Sequence, residues 1–290
     1  MPKVSTASPF NEVSNVIAEI DSAVASFHRI DEAVHAPKDI DEGKGDLKGE
    51  IRSFSAEDVA FSYDGTRKIF EDVDFSIEKG KRFALVGPTG CGKTTIINLL
   101  LRFYDPQQGT IRLNDVDIAT LSKAALRARI GMVLQDTWIA RGTIHENIAY
   151  GKPDASREEV IAAAKKAQAH HFIETLPHGY DEVIDEDTGL SQGQRQLLCV
   201  ARVLLIEPEI IILDEATSNI DVRTEALLGE SFASLMEGRT SLVVAHRLST
   251  IVSSDCILVL KDGRIIERGK HEELLKKKGF YASLYQAQFE

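Results

Sequence analysis

A glycine-rich loop at residues 87–94, Gly-Pro-Thr-Gly-Cys-Gly-Lys-Thr, constrains this 290-residue chain more than any other feature. It matches the pattern G-x-x-x-x-G-K-S/T and stands between a short apolar run, residues 82–86, and a second apolar run, residues 95–101, typical of a buried helix. A strand, a loop and a helix in this order let backbone N–H groups and the helix N-terminus surround phosphate oxygens. The loop therefore predicts a site for a nucleoside triphosphate.

The side chains of this loop have separate predicted tasks. Lys93 would reach the β- and γ-phosphates, and the Thr94 hydroxyl would ligate Mg²⁺. Cys91 lies near a helix N-terminus, which would favour its thiolate form, and a small filling side chain is the alternative interpretation. The predicted phosphate-binding residues are Gly87, Pro88, Thr89, Gly90, Cys91, Gly92, Lys93, Thr94 and Thr95.

The composition is that of a soluble globular chain, with 43% hydrophobic and 27% charged residues. A net charge of −11 argues against nucleic acid as the main partner. Cys91, Cys199 and Cys256 are too scattered for a disulfide framework or a zinc cluster, which favours a reducing compartment. The sequence has no signal-peptide pattern and no run of about 18 apolar residues, so we expect no membrane span.

The first 48 residues differ from the rest of the chain. Apolar residues recur at gaps of three and four, which predicts an amphipathic helix over about residues 9–34. The stripe consists of Phe10, Val13, Ile17, Ile20, Val24 and Phe27. It needs a partner, either the chain's own folded domain or another segment. Residues 36–50 are rich in glycine and charge and indicate a solvated linker. We therefore predict a helix and linker at residues 1–48 and a globular domain at residues 49–290.

Three short apolar runs end at Val86, Leu213 and Val244, and helical patterns lie between them. This alternation predicts an α/β fold with a parallel sheet, whose strand ends meet at one edge. The polar groups that follow these runs are Lys93, Asp214, Glu215 and His246. Asp214 is suited to hold Mg²⁺, directly or through water, and Glu215 to orient or deprotonate an attacking water.

A second helix start has the features of an anion site. Ser191 and Gln194 form an S-x-x-Q capping box, and Gly193 removes side-chain bulk from the first turn. Many helices are capped in this way without binding anything. Elsewhere, His170 and His171 have no acid or cysteine at a useful spacing, so we expect them at the surface.

The glycine-rich loop is followed by residues 190–194, 214–215, 218–221 and His246 in the order seen in ATP-binding-cassette (ABC) proteins. From about residue 49 to residue 290 the chain resembles a transporter nucleotide-binding domain of exporter type. The resemblance implies a P-loop NTPase fold with a parallel core sheet, an N-terminal antiparallel β subdomain and an inserted α-helical subdomain over about residues 136–205.

The same resemblance assigns residue roles. Tyr63 would stack on adenine, with a plain hairpin tyrosine as the alternative. Gln135 would contact Mg²⁺ or water, and His246 would lie at the γ-phosphate. Catalysis of Mg-dependent ATP hydrolysis would then rest on Lys93, Glu215 and His246. The predicted metal ligands are Thr94, Gln135 and Asp214.

The resemblance also implies partners. Two domains would form a head-to-tail dimer in which Ser191, Gly193 and Gln194 of one subunit close over ATP bound to the other, with Asp221 near the interface. Residues 142–148 resemble the segment that touches the transmembrane domains, and the N-terminal helix resembles the cytoplasmic extension of an exporter's last membrane helix. The chain would work at the cytoplasmic face of a membrane.

Departures from the usual pattern leave some questions open. Gln192 stands where many members have glycine, and residues 218–221 differ from the frequent alanine and leucine pattern, so a homodimer and a heterodimer both remain possible. A soluble ABC-type ATPase without a membrane partner, and an ATP sensor without turnover, are the alternative functions.

Overall fold

The computed structural model describes residues 8–35, 43, 45–134, 137–185, 189–214, 220–244 and 248–289. Its contacts divide the chain into two compact units, Met1–Asp41 and Glu42–Glu290. Gln135, Glu215 and His246 lie outside the described residues, as do residues 218 and 219.

The first unit contains one helix, α1, at Ser8–His35. The predicted helix at residues 9–34 is therefore confirmed to within one residue at each end. Its stripe is exposed along the part whose side chains are described, from Val24 at 49% to Phe27 at 64%. Among the helices described, no segment is both long enough and apolar enough to cross a bilayer.

The second unit is a mixed α/β fold. Its strands are β1 (Ser53–Ser62), β2 (Lys68–Glu78), β3 (Arg82–Val86), β4 (Gln108–Leu113), β5 (Val116–Asp117), β6 (Ile130–Val133), β7 (Gly142–Thr143), β8 (Val183–Ile184), β9 (Ile210–Asp214), β10 (Thr240–Val244), β11 (Cys256–Lys261) and β12 (Arg264–Gly269). Its α-helices are α2 (Lys93–Leu100), α3 (Lys123–Arg127), α4 (Ile144–Ile148), α5 (Arg157–Lys166), α6 (His170–Glu174), α7 (Gln192–Ile206), α8 (Val222–Met236), α9 (Leu248–Val252), α10 (His271–Lys277) and α11 (Phe280–Phe289).

Ten strands form one sheet in the order β5-β4-β1-β2-β12-β11-β3-β10-β9-β6. The run from β6 through β9, β10 and β3 to β11 is parallel. Strands β1, β2, β4 and β5 pair antiparallel with one another. The predicted parallel core sheet and N-terminal antiparallel part are both confirmed.

The parallel strands are apolar on both faces because each face is covered by a separate core. In β3, Ala84 and Val86 belong to the core that includes α7 and α8, whereas Phe83 and Leu85 belong to the core that includes α2 and the antiparallel strands. The same alternation in β9 places Leu213 in the first core and Ile212 in the second. The continuous apolar runs of β3 and β9 are therefore strands that are buried on both faces of the sheet.

The helical region expected over about residues 136–205 contains α4, α5, α6 and most of α7, with the small antiparallel pair of β7 and β8 beside them. Its apolar side chains join the core on the α7 face of the sheet. Three helices here begin with a complete capping box, in which a hydroxyl residue at the N-cap and an acid or amide three residues later bond each other's backbone N–H.

A clamp between distant residues fastens the start of the second unit to the sheet. Arg129, just before β6, donates from its Nε to the Glu209 carboxylate at 2.5 Å and from its Nη atoms to the carbonyl oxygens of Leu47 at 2.9 Å and Gly49 at 2.6 Å. The second Glu209 oxygen accepts the Ile51 backbone N–H at 2.7 Å. We call these five residues the entry clamp.

The prediction of a solvated linker over residues 36–50 is corrected over residues 45–50 by the entry clamp, while residues 36–42 and 44 lie outside the described part of the chain. Leu47 is only 5% exposed, and Gly45 bridges to Leu121, with its N–H donating to the Thr120 carbonyl at 3.0 Å. The composition of this segment is polar, but its backbone groups are bound by Arg129 and by the loop after β5. Residues 45–50 therefore belong to the folded body.

We expect Glu209→Ala to lower the free energy of unfolding by about 2 kcal/mol, because it leaves the Arg129 guanidinium and the Ile51 N–H without their acceptor. Urea unfolding measures the change, and the matched control is Asp181→Ala, which breaks the more exposed Arg157–Asp181 pair. Equal effects of the two substitutions would show that the entry clamp is an ordinary surface ion pair.

Candidate functional site

The glycine-rich loop joins β3 to α2 as the sequence predicts. Gly92 is the N-cap of α2 and has φ of 105°, a conformation that residues with a Cβ rarely adopt. A Cβ on Gly92 would also lie 2.6 Å from the Phe70 ring. The strand β2 therefore lies directly against the N-terminus of α2, and only glycine fits between them.

Lys93 lies over the loop that precedes it. Its Nζ donates to the carbonyl oxygens of Gly87 at 2.7 Å and Pro88 at 3.0 Å. Thr94, the next residue, is exposed, and so are Pro88, Thr89 and Gly90 in the loop. The ammonium group is thus placed where an anion bound by the loop would meet it.

Cys91 does not have the environment of a reactive thiolate. It is 8% exposed, and burial raises the pKa of its thiol more than the nearby Lys93 ammonium lowers it. A Cβ on Gly87 would lie 2.7 Å from the Cys91 sulfur. Of the two interpretations of Cys91, the structure supports the small side chain that fills the space under the loop and not the thiolate.

Tyr63 contacts the first turns of α2. Its hydroxyl donates to Thr95 Oγ1 at 3.1 Å and accepts from Asn98 Nδ2 at 3.3 Å. The ring is 49% exposed and meets the rings of Phe61 and Tyr104 edge-on, at centroid distances of 4.9 Å and 5.0 Å. The hydrogen bonds of the hydroxyl and the contacts with Phe61 and Tyr104 fix the orientation of the ring. Its exposed part is available for stacking.

The carboxyl ends of the parallel strands lie at one edge of the sheet, next to this loop. Asp214 is in register with Val244, and Val244 is in register with Leu85, two strands across. Asp214 is half-buried and carries hydrogen-bonding oxygens at this edge. Val133 ends β6 in register with Leu213, so all four strand ends are aligned.

Three predicted residues follow these strand ends in the sequence but lie outside the described residues. They are Gln135, Glu215 and His246. Their roles as a metal or water contact, a base and a γ-phosphate contact remain predictions.

The N-termini of α7 and α8 lie against each other. Ser191 caps α7, its Oγ accepting the Gln194 N–H at 3.2 Å while the Gln194 side chain accepts the Ser191 N–H at 2.9 Å. A Cβ on Gly193 would lie 2.2 Å from the Thr224 methyl group in the first turn of α8. Gly193 is therefore required by close helix packing, whatever else it binds.

Asp221 has a structural task in addition to the predicted interface position. Its carboxylate accepts the Thr224 N–H at 3.0 Å and caps α8. This hydrogen bond holds the pKa of Asp221 below its usual value. The N-termini of α7 and α8 thus form a pair, joined at Gly193 and Thr224.

The prediction that His170 is a surface residue is wrong. Its Nδ1 lies 2.8 Å from the Tyr180 hydroxyl, its Nε2 lies 3.1 Å from the Glu174 carboxylate, and its side chain is 24% exposed. Glu174 stands one helical turn after His170, a spacing that brings two side chains together on α6. His171 is exposed, as expected.

Sequence reasoning missed an aromatic surface after β6, which we call the Trp138 surface: Trp138 and Tyr150. Their exposures are 50% and 60%, and the centroids of the two rings are 5.3 Å apart. Arg202 of α7 supports it from below, donating to the Trp138 carbonyl at 2.6 Å and to both oxygens of Asn147. No local sequence motif predicts this surface, because Arg202, which holds the backbone of Trp138, is 64 residues away from it in sequence.

We expect Gly193→Ala to lower the free energy of unfolding by about 2 kcal/mol, because the new methyl group overlaps the Thr224 methyl group. Thr224→Ser removes that methyl group and keeps the N–H that Asp221 accepts. The double variant should therefore recover more than half of the loss in a urea double-mutant cycle. Additive effects of the two changes would reject the packing explanation.

Comparisons with known proteins agree with this arrangement. The family described as ABC transporter matches residues 70–218. The chain is 48% identical over 285 residues to the uncharacterized ABC transporter ATP-binding protein YfiC of Bacillus subtilis, covering 97% of this chain and 47% of that protein. It is 43% identical over 280 residues to a fatty acid ABC transporter ATP-binding/permease protein of Mycobacterium bovis, covering 96% of this chain and 44% of that protein.

A third relative is the ATP-dependent lipid A-core flippase of Chromohalobacter salexigens, 40% identical over 289 residues, covering 98% of this chain and 49% of that protein. Among solved structures, a bacterial Atm1-family ABC exporter with ATP bound matches with a TM-score of 0.82 and 39% identity, covering 97% of this chain and 50% of that chain. The chain spans about half the length of the relatives it matches. Both the family match and the identity to these relatives show that the chain belongs to the ABC transporter family.

Proposed function

We propose that this chain is the motor domain of an exporter, which couples hydrolysis of ATP with Mg²⁺ to movement of a molecule across a membrane. The observation that carries this proposal is the meeting of the Gly92–Lys93 helix start with the Asp214 strand end at one sheet edge. If the start of α2 holds the phosphate chain of ATP, the terminal phosphate would lie next to Asp214 at the end of β9.

The residues divide the chemistry as follows. Lys93 and the loop N–H groups bind phosphate oxygens, and Tyr63 stacks on the base. Glu215 takes a proton from the attacking water, and His246 steadies the γ-phosphate. The Thr94 hydroxyl, the Asp214 carboxylate and the Gln135 amide are oxygen donors of the kind that Mg²⁺ prefers, so this donor set fits the ion. When bound, Mg²⁺ would supply charge neutralisation on the phosphates.

We expect Glu215→Gln to preserve ATP binding and to lower turnover by at least about a hundredfold, because the amide keeps the shape of the side chain but cannot accept a proton. Phosphate release and nucleotide binding are measured on the same preparation. Glu230→Gln, an acid-to-amide change at an exposed position of α8, is the matched control. Normal turnover in Glu215→Gln would reject this residue as the base.

Two copies are proposed to act together, head to tail. The chain carries two helix starts suited to anions, at α2 and at α7, and Ser191 and Gln192 are exposed at the second. In the proposed dimer the α7 start of one copy covers ATP held by the α2 start of the other, with Asp221 near the shared surface. Whether the two copies are identical is open.

The Trp138 surface is the proposed contact with the membrane domain. Exposed aromatic side chains supported by a fixed arginine are typical of protein–protein contacts. The surface follows β6, the strand that leads to Gln135, so a push on it would act close to the nucleotide. Relatives about twice as long as this chain include one whose name combines ATP-binding and permease. In this proposal the chain works at the cytoplasmic face of a membrane, and the ATP-binding/permease relative speaks against a soluble ATPase without a membrane partner.

We expect the double substitution Trp138→Ala with Tyr150→Ala to leave ATP turnover of this chain unchanged and to remove its stimulation by the membrane domain. The reason is that both rings lie outside the nucleotide loop but form the proposed contact. Turnover is measured for the chain alone and for the chain joined to its membrane domain in lipid vesicles. Ile266→Ala, at an exposed position of β12, is the control, and stimulation that survives the double substitution would contradict the assignment.

A further inference from the structure

A cleft borders the glycine-rich loop on the side of β2. It has a volume of about 280 Å³ and is lined by residues of three segments: the turn before β2, the loop itself and the turn between β11 and β12. The lining includes Pro88, Thr89 and Gly90 on the loop, and Arg67 and Lys68 on the turn. None of the roles assigned above uses the turn side of this cleft.

The turn that carries Arg67 is fixed by hydrogen bonds at both ends. The Asp64 carboxylate accepts the N–H groups of Thr66 at 2.8 Å and Arg67 at 2.9 Å, and Ser62 Oγ donates to the Arg67 carbonyl at 2.7 Å. These backbone hydrogen bonds hold the pKa of Asp64 well below its usual range, so its carboxylate is ionised at neutral pH. The backbone position of Arg67 is therefore set before any ligand arrives.

This turn spans the N-terminus of α2. At its start, the Tyr63 hydroxyl reaches Thr95 in the first turns of the helix. Just after its end, Phe70 lies so close to Gly92 that a Cβ there would be 2.6 Å from the ring. Arg67 lies between these two contacts in sequence and lines the same cleft as the loop that leads into α2, a helix start of the kind that favours anions.

The charges in the cleft single out Arg67. Lys68 faces the Glu71 carboxylate at 3.7 Å, and Glu71 also pairs with Arg264. Asp262, at the far turn, is the acid among the residues that line the cleft. Within the part of the chain that the structure describes, the Arg67 guanidinium has no carboxylate partner. An exposed arginine on a rigid turn can offer two parallel N–H groups to a phosphate.

We propose that Arg67 is a further nucleotide-binding residue, whose guanidinium contacts the phosphate chain of ATP at the start of α2. Tyr63 would then hold the base and Arg67 the phosphates, both from the same hydrogen-bonded turn. The proposal rests on the nucleotide site proposed above, in which Tyr63 stacks on the base, but not on the exporter, the dimer or the membrane contact.

The test measures the affinity of the whole chain for ATP, ADP and adenosine by calorimetry and competition, in EDTA so that turnover is blocked. We expect Arg67→Gln to weaken ATP and ADP binding by about tenfold, the loss that one charge-assisted hydrogen bond accounts for. Adenosine affinity should stay unchanged, because the variant keeps Tyr63 and the turn. Arg67→Lys should retain most of the affinity, since the positive charge remains.

Two controls separate contact with phosphate from support of the turn. Lys68→Gln removes the neighbouring charge in the same cleft and should leave ATP affinity unchanged. Asp64→Ala loosens the turn and should weaken adenosine and ATP binding alike. Normal ATP affinity in Arg67→Gln would overturn the proposal. An equal loss for adenosine in that variant would overturn it as well, because Arg67 would then act only through the position of Tyr63.

Discussion

The burial of β3 on both faces is the constraint on which the nucleotide site depends. Phe83 and Leu85 pack toward α2, and Ala84 and Val86 pack toward α7 and α8. Because β3 lies between β10 and β11 in parallel register, its end is level with theirs. The chain can leave the sheet only at this edge, and the glycine-rich loop begins there. The position of the loop follows from the core and needs no contact with a ligand.

Two of the strands that end at this edge, β6 and β9, begin at the entry clamp. Arg129 precedes β6 and Glu209 precedes β9, and the two side chains hold residues 47–51 between them. At their other ends, β9 carries Asp214 and β6 leads to Gln135. Residues 47–51 are thus attached to two strands that reach this edge of the sheet.

How much the sequence predicts depends on how far apart the interacting residues lie. The loop, the strand runs and the Ser191 capping box were predictable because each is a pattern within about ten residues. The entry clamp was not, because Arg129 and Glu209 are 80 residues apart and neither belongs to a motif. The His170 prediction failed for a different reason. Its partner Glu174 lies one helical turn further on, and this acid was overlooked at a spacing that brings the two side chains together.

The two motif glycines show why a pattern identifies a site without explaining it. Gly92 is needed for its positive φ and for the approach of Phe70, and both requirements concern the loop that binds phosphate. Gly193 has ordinary helical backbone and is needed because Thr224 occupies the space of its Cβ. A binding motif can therefore contain a residue whose type is set by packing alone. In the proposed dimer the backbone N–H groups at the α7 start would face the anion, and Gly193 allows α8 to place its own N-terminus beside them.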